Sequence, residues 1–350
     1  MDISSKKNAV RVSSMPAIPA AIAISLAVAI TGASCALERE MVSVWGASAE
    51  TPKLASLSPV GPCELVGTFS SPVSVREARC VPETGGGEPS SVTIADPAPA
   101  REVRFILPVP LATGARAVLS GTVEDARGNT LAFAVPFIGY NSRVPRLLVN
   151  EIRTGYDKPK VEYVELVSLD DGNLAGVEIH NAMNETVPRY VFPAAEVRAG
   201  DFIVLHLRSV EEGLVDETGA PDESGGVDAR PTARDFWDTQ TRAPLKATNV
   251  ITVRARAGGE ILDALLVAEP GQEDWPNDRL SRAAAEAVAC GAWGPTALVG
   301  DAASAAYPET MTTTRTLGRN PASGDANAAT DWRVCKTGGN SPGSANATVP

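Results

Sequence analysis

The chain has 350 residues, room for two domains of ordinary size and a tail. Hydrophobic residues make up 44% but aromatics only 5%, so a core would rest on Val, Leu, Ile and Ala, and 30 Gly with 27 Pro suit many turns and few long helices. The formal net charge of −11 argues against duplex nucleic acid as a partner, because phosphate binding is driven by clustered Lys and Arg.

The first thirty-four residues read as an export signal. Lys6, Lys7 and Arg11 form a positive stretch, Met15 to Ile30 is uncharged and apolar, and Thr31-Gly32-Ala33-Ser34 supplies small residues before Cys35. The apolar run falls short of the roughly 20 residues that span a bilayer, and Pro16 and Pro19 break it further. Gly32-Ala33-Ser34-Cys35 looks like a lipobox, in which cleavage precedes a cysteine that is then diacylated. Gly32 departs from that pattern, which has an aliphatic residue there, so ordinary cleavage after Ser34 or Ala36 is the rival. The five cysteines favour a lipid on Cys35, since that leaves an even set, Cys63, Cys80, Cys290 and Cys335. The membrane, reached through a lipid anchor, is then the first expected partner.

Residues 35–53 read as a spacer, and 54–142 as a first domain of short strands: Glu64 to Ser70, Val73 to Val81, Val92 to Ala95, Glu102 to Leu107, Ala117 to Val123 and Leu131 to Ile138. The Gly-rich stretch Glu83 to Ser91 reads as a flexible loop. Four cysteines allow three connectivities. Domain economy favours Cys63 with Cys80 and Cys290 with Cys335, each loop worth about 3–4 kcal/mol, with free thiols as the alternative. No CxxC pair is present, so a zinc site is poorly supported.

Arg143 to Pro145 reads as a linker, and 143–350 as the second domain. Leu147 to Ile152, Glu162 to Val167 and Leu174 to Ile179 are short strands separated by Asp157-Lys158-Pro159 and Asp170-Asp171-Gly172-Asn173. Asp201 to Leu207 is a further strand. Val210 to Asp238 then holds nine acidic residues among Gly, Pro, Ser and Thr, which predicts a disordered, solvated insertion. Asn249 to Ala255 and Glu260 to Ala268 read as a hairpin turned at Gly258-Gly259, and Arg279 to Ala289 as a helix too short to be stable alone.

Two sets of words resemble known families. "TFSSPVSVREARCV" with "LSGTVEDARGNTLAFAVPF", including a turn at Asp125, Gly128 and Asn129, is similar to bacterial immunoglobulin-like domains of surface proteins. "VNEIRTG", "EYVELVSLDDGNLAGVEI", "YVFPAAEVRAGDFIVLHL" and, far downstream, "DW" and "SPGSAN" resemble the bacterial lamin-tail domain. These resemblances imply an all-β chain of two immunoglobulin-like β-sandwiches, used as a scaffold or binding module. They also imply that an Arg, a Trp and a Pro-Gly-x-x-Asn turn close the last strand; here these are Arg315, Trp332 and Pro342 to Asn346.

Residues that could carry chemistry are few. His180 and His206 lie in or beside strands without HExxH, GxSxG or a Cys–His pairing, and read as edge or surface positions. Asp170, Asp171 and Asn173, and the turn at Asp125 to Asn129, could hold calcium, but Asx-rich turns look the same without a metal. Glu151, Glu162 and Glu165 could act as acid and base. Glu162 and Glu165 fall on opposite strand faces, however, and structural carboxylates pinning backbone or an Arg such as Arg315 are favoured. Phe236 and Trp237, at the exit of the acidic segment, are either apolar anchors for a partner or the first core residues after it. Trp275, Trp293 and Trp332 read as packing residues.

No catalytic residue, metal or cofactor is expected. The leading expectation is a non-catalytic, exported, lipid-anchored cell-envelope protein that binds a protein or envelope polymer. A secreted hydrolase- or nuclease-associated protein and an unlipidated secreted adhesin are the alternatives.

Overall fold

The computed structural model describes residues 51–83, 88–182, 188–239, 245–294, 301–306, 311–322 and 324–347. The export signal (1–34), Cys35 and most of the 35–53 spacer lie outside them, as does the centre of the Gly-rich loop. Described strands far outnumber helices, as the all-β reading requires.

Seven strands form the first body: β1 (Leu54–Gly61), β2 (Glu64–Pro82), β3 (Ser90–Ser91), β4 (Thr93–Ile94), β5 (Ala100–Ile106), β6 (Arg116–Asp125) and β7 (Thr130–Ile138). The two strands expected over 64–81 are one. Ser71-Pro72 does not end it, because the neighbours change there instead: β1 then β6 pair along one side of β2, and β5 then β3 along the other. Leu65, Phe69, Val73, Phe105, Leu119 and Val123 share one buried cluster, with Phe133 set edge-on to Phe69 and Phe105. The β6–β7 turn forms as expected, with Gly128 at φ 85° and Asp125 accepting from the backbone N–H groups of Arg127 and Asn129.

The second body stacks two sheets. One runs β15 (Ala233–Trp237), β14 (Phe202–His206), β9 (Tyr163–Ser168), β8 (Leu147–Arg153), β18 (Leu317–Arg319), β19 (Trp332–Val334). The other runs β12 (Tyr190–Val191), β11 (Glu178–Asn181), β16 (Asn249–Arg254), β17 (Ile261–Val267), and β10 (Gly172–Asn173) with β13 (Glu196–Val197) makes a separate pair. Alternation places Val164 and Leu166 of β9, and Ile203 and Leu205 of β14, in the core between the sheets. Tyr163, Glu165, Val204 and His206 take the opposite face. Helix α1 (Asp278–Ala289) buries Leu280, Ala284 and Ala287, a helical spacing, and Asn277 caps it by accepting from the N–H groups of Arg279 and Leu280.

Two expectations fail here. The acidic segment 210–238 is not a disordered insertion: it ends in β15, which pairs in parallel with β14, and Glu217, Asp228 and Asp235 are at most 2% exposed. Its charge does not solvate it because the partners come from elsewhere in the chain. Asp228 pairs with Arg153 and accepts from the N–H of Val161, and Asp238 pairs with Arg189 at 2.6 Å. The expected disulfides are also not formed, and Cys63, Cys80, Cys290 and Cys335 are free. Cys63 precedes the first residue of β2 and Cys80 lies near its far end, a separation of tens of ångströms at about 3.3 Å per residue, where a disulfide tolerates about 7 Å. Cys290 donates to Ala287 O within its own helix end, while Cys335 Sγ accepts from Thr316 N at 3.1 Å.

Candidate functional site

Two of the three carboxylates that look catalytic in the sequence, Glu151 and Glu165, come together on the outer face of the six-stranded sheet, under the C-terminal turn. A bulge in β8 at Asn150 sets Glu151 opposite Glu165 across the β8–β9 ladder, a juxtaposition of two carboxylates that spacing alone does not reveal. Glu151 accepts from Tyr163 Oη at 2.8 Å, from Thr316 Oγ1 and from the N–H of Ser341. Glu165 accepts from Asn150 Nδ2 at 2.6 Å and from the N–H of Gly343.

Burial raises both acids, Glu165 to about 8, and the hydroxyl and N–H donors only partly offset it. Burial also drives the Tyr163 phenol well above its usual range. Glu162 lies apart from this pair, held by Arg208 Nε and Nη2 at 2.6 and 2.8 Å. These glutamates therefore pin backbone and an arginine, as favoured, but the arginine is Arg208. Arg315 instead donates to Cys335 O.

The histidines separate. His180 is partly exposed and lies 2.8 Å from Glu178. His206 is not at the surface: it is 1% exposed, its Nε2 is 2.7 Å from Asp235 Oδ1, and Trp237 stacks on it with centroids 3.8 Å apart. Phe236 is fully buried in the core between the sheets, and Trp237 donates from Nε1 to Ser224 Oγ. Both aromatics thus take the packing role. The two calcium candidates spend their oxygens on protein groups: Asp170 on Arg146, Asp171 on Ala199 N, Asn173 on Ala175 N, and Asp125 on its own turn. Among the described residues no cluster of three or more His, Cys, Asp or Glu is placed to hold a metal.

Closure of the last strand is as expected in its turn but not in its arginine. Asn346 Nδ2 donates to the carbonyls of Asn150 and Arg319, tying β8 to β18, and Gly318 lies so close that an added Cβ would meet the Asn346 side chain at 2.9 Å. Arg319 is the arginine that lies against Trp332, 4.9 Å from its ring, while pairing with Asp263 at 2.8 Å.

An apolar open space lies elsewhere, between the two bodies. The 139–146 connection is bound to the second body through Asn141, which donates to the carbonyls of Asn173 and Ala175, and Ser58 Oγ donates to Ala257 O. Beside these bonds is a cavity of about 470 Å³, walled by Val135, Phe137 and Ile138 of β7 on one side and by Ala175, Val191 and Ala255 on the other. Its walls are mostly carbon. The polar groups on it are Asn141, Arg116, Arg256 and Glu178, and Glu178 is already engaged by His180. No single stretch of sequence signals this cavity, because its walls come from several segments scattered between Leu57 and Ala257.

Residues 145–334, more than half the chain, match the family described as TP_1001_2nd: protein second domain. An uncharacterized protein of Treponema pallidum (strain Nichols) is 38% identical over 154 residues, which are 44% of this chain and 39% of that protein, so the chain spans well under two thirds of this relative's length. Among solved structures, the N-terminal part of the bacterial S-layer protein SbsC is similar over 40% of this chain and 37% of its own, at 19% identity and a TM-score of 0.24. A DUF4876 family protein from Bacteroides thetaiotaomicron VPI-5482 is similar over 77% of this chain and 90% of its own, at 9% identity and a TM-score of 0.27. Both likenesses are too distant to bear on function.

Proposed function

The chain belongs to the family described as TP_1001_2nd: protein second domain, and on that premise we propose that it is a non-catalytic cell-envelope binding protein, exported by residues 1–34 and anchored through lipidated Cys35. In this reading the lamin-tail-like second body and the immunoglobulin-like first body form one scaffold, and the partner, a small envelope component or a segment of an envelope polymer, enters the cleft between them. The cleft carries the reading. It lies in the size range of about 300–1,000 Å³ typical of small-ligand sites, at a junction of two bodies, with apolar walls and few polar groups. The non-catalytic part is supported by the state of the buried acids and His206, which are held by internal partners beneath covering segments.

Two measurements test this. Intact mass of the mature protein from native membranes should show a chain beginning at Cys35 with added acyl mass, and Cys35→Ser should release the protein from the membrane. A processed C35S chain that stays in the membrane would refute the anchor. Native mass spectrometry of the purified protein should show a bound species that is lost when Val135→Trp fills the cleft; a bound species unaffected by V135W would refute the site.

A further inference from the structure

We infer that the cleft between the two bodies takes an amphiphile with one apolar tail and one carboxylate headgroup, and that Arg256 receives the headgroup. This rests on the cleft being the binding site. Arg256 follows β16 and lies on the cavity wall, with Nε buried and without a hydrogen-bond partner. Its guanidinium carbon is 5.8 Å from the Tyr140 ring, and among the described residues it forms no ion pair. Arg256 as a whole is half-buried, but a buried N–H left without an acceptor is costly, and a carboxylate completes it with a charge-assisted hydrogen bond.

The carboxylate on the same wall, Glu178, forms no ion pair with Arg256 and lies instead 2.8 Å from His180. Arg116, also on the wall, is largely exposed and 3.8 Å from Glu83. The wall thus has one half-buried guanidinium without an ion pair in a chain whose net charge is −11, so a general attraction for anions does not account for it. One planar guanidinium matches one carboxylate in charge and in bidentate geometry, whereas a dianionic phosphate would leave charge uncompensated. The remaining wall is carbon, and burial of a hydrocarbon tail there supplies the non-directional part of the affinity.

The test uses the chain from residue 36 onward, with neutral N-phenyl-1-naphthylamine as the fluorescent probe and dodecanoate, dodecanol and dodecyltrimethylammonium as competitors below their micellar concentrations. The probe should bind saturably. Dodecanoate should displace it at concentrations at least tenfold lower than either of the other chains. Arg256→Gln should abolish that preference, and Val135→Trp should weaken probe and dodecanoate together, each variant keeping the wild-type circular dichroism and thermal midpoint. Should V135W misfold, Val191→Trp on the opposite wall provides the same block. Saturable probe binding with equal competition by the three chains, or with dodecanoate affinity unchanged in R256Q, would overturn the carboxylate inference and leave the cleft reading standing. Absence of saturable probe binding, or binding unchanged in folded V135W and V191W, would overturn the cleft and the inference with it.

Discussion

Glu217→Ala should destabilise the second body by about 3 kcal/mol, although the residue lies in a stretch whose composition reads as solvated. Its carboxylate is fully buried: one oxygen accepts from the N–H groups of Glu223 and Ser224 at 2.9 Å, the other from the N–H of Asp235 at 2.7 Å. Truncation leaves the Asp235 donor in a dry strand, which costs about 1–3 kcal/mol, while the two half-buried donors regain water and together cost about 1 kcal/mol. Urea unfolding followed by tryptophan fluorescence should show a lower midpoint at unchanged slope. Glu217→Gln, which keeps one oxygen, should fall between, and hydrogen exchange should show the Asp235 amide losing protection. A change below about 0.5 kcal/mol, the size expected at a solvated surface site, would refute the buried bonding and restore the disordered insertion.

Stability should also fall as pH rises. The folded state holds the Glu165 proton to about pH 8 while an ordinary carboxyl loses it near 4.5, so the folded state binds more protons across that window and loses stability, on the order of a few kcal/mol, between pH 5 and 8. Glu165→Gln should flatten the slope; an unchanged slope would show that another group sets it. Thiol alkylation of the unreduced, denatured chain should modify Cys63, Cys80, Cys290 and Cys335, and dithiothreitol should leave the thermal midpoint unchanged; a mass two hydrogens lower per missing pair of labels would reveal a disulfide. In the native state the exposed Cys290 should react first and Cys80, buried and with its thiol raised by desolvation, last. Asn346→Ala should cost about 2 kcal/mol by freeing the carbonyls of Asn150 and Arg319, read as a lowered urea midpoint; no shift would show that the closing turn does not tie β8 to β18.

Local rules determined much of this protein. Alternation and turn residues suffice to place β8, β9, β14, the β16–β17 hairpin and α1, because each is encoded within about ten consecutive residues by which face must leave water. The same local rules misplace whatever depends on a distant partner. The acids of 210–238 look solvated until Arg153, Arg189 and His206 are brought beneath them, and a charge is buried or exposed according to what faces it, which composition does not record. The cysteine pairs are plausible by count, yet Cys63 and Cys80 are held apart by the length of β2 and Cys290 and Cys335 are both free, since a disulfide needs proximity and parity supplies none. Glu151 and Glu165 face one another only because a one-residue bulge in β8 shifts the register, a feature without a reliable local signature. The cleft with Arg256 on its wall exists only once two separately legible bodies are set side by side, so the sequence determined the strands and tertiary packing alone brought the cleft's walls together.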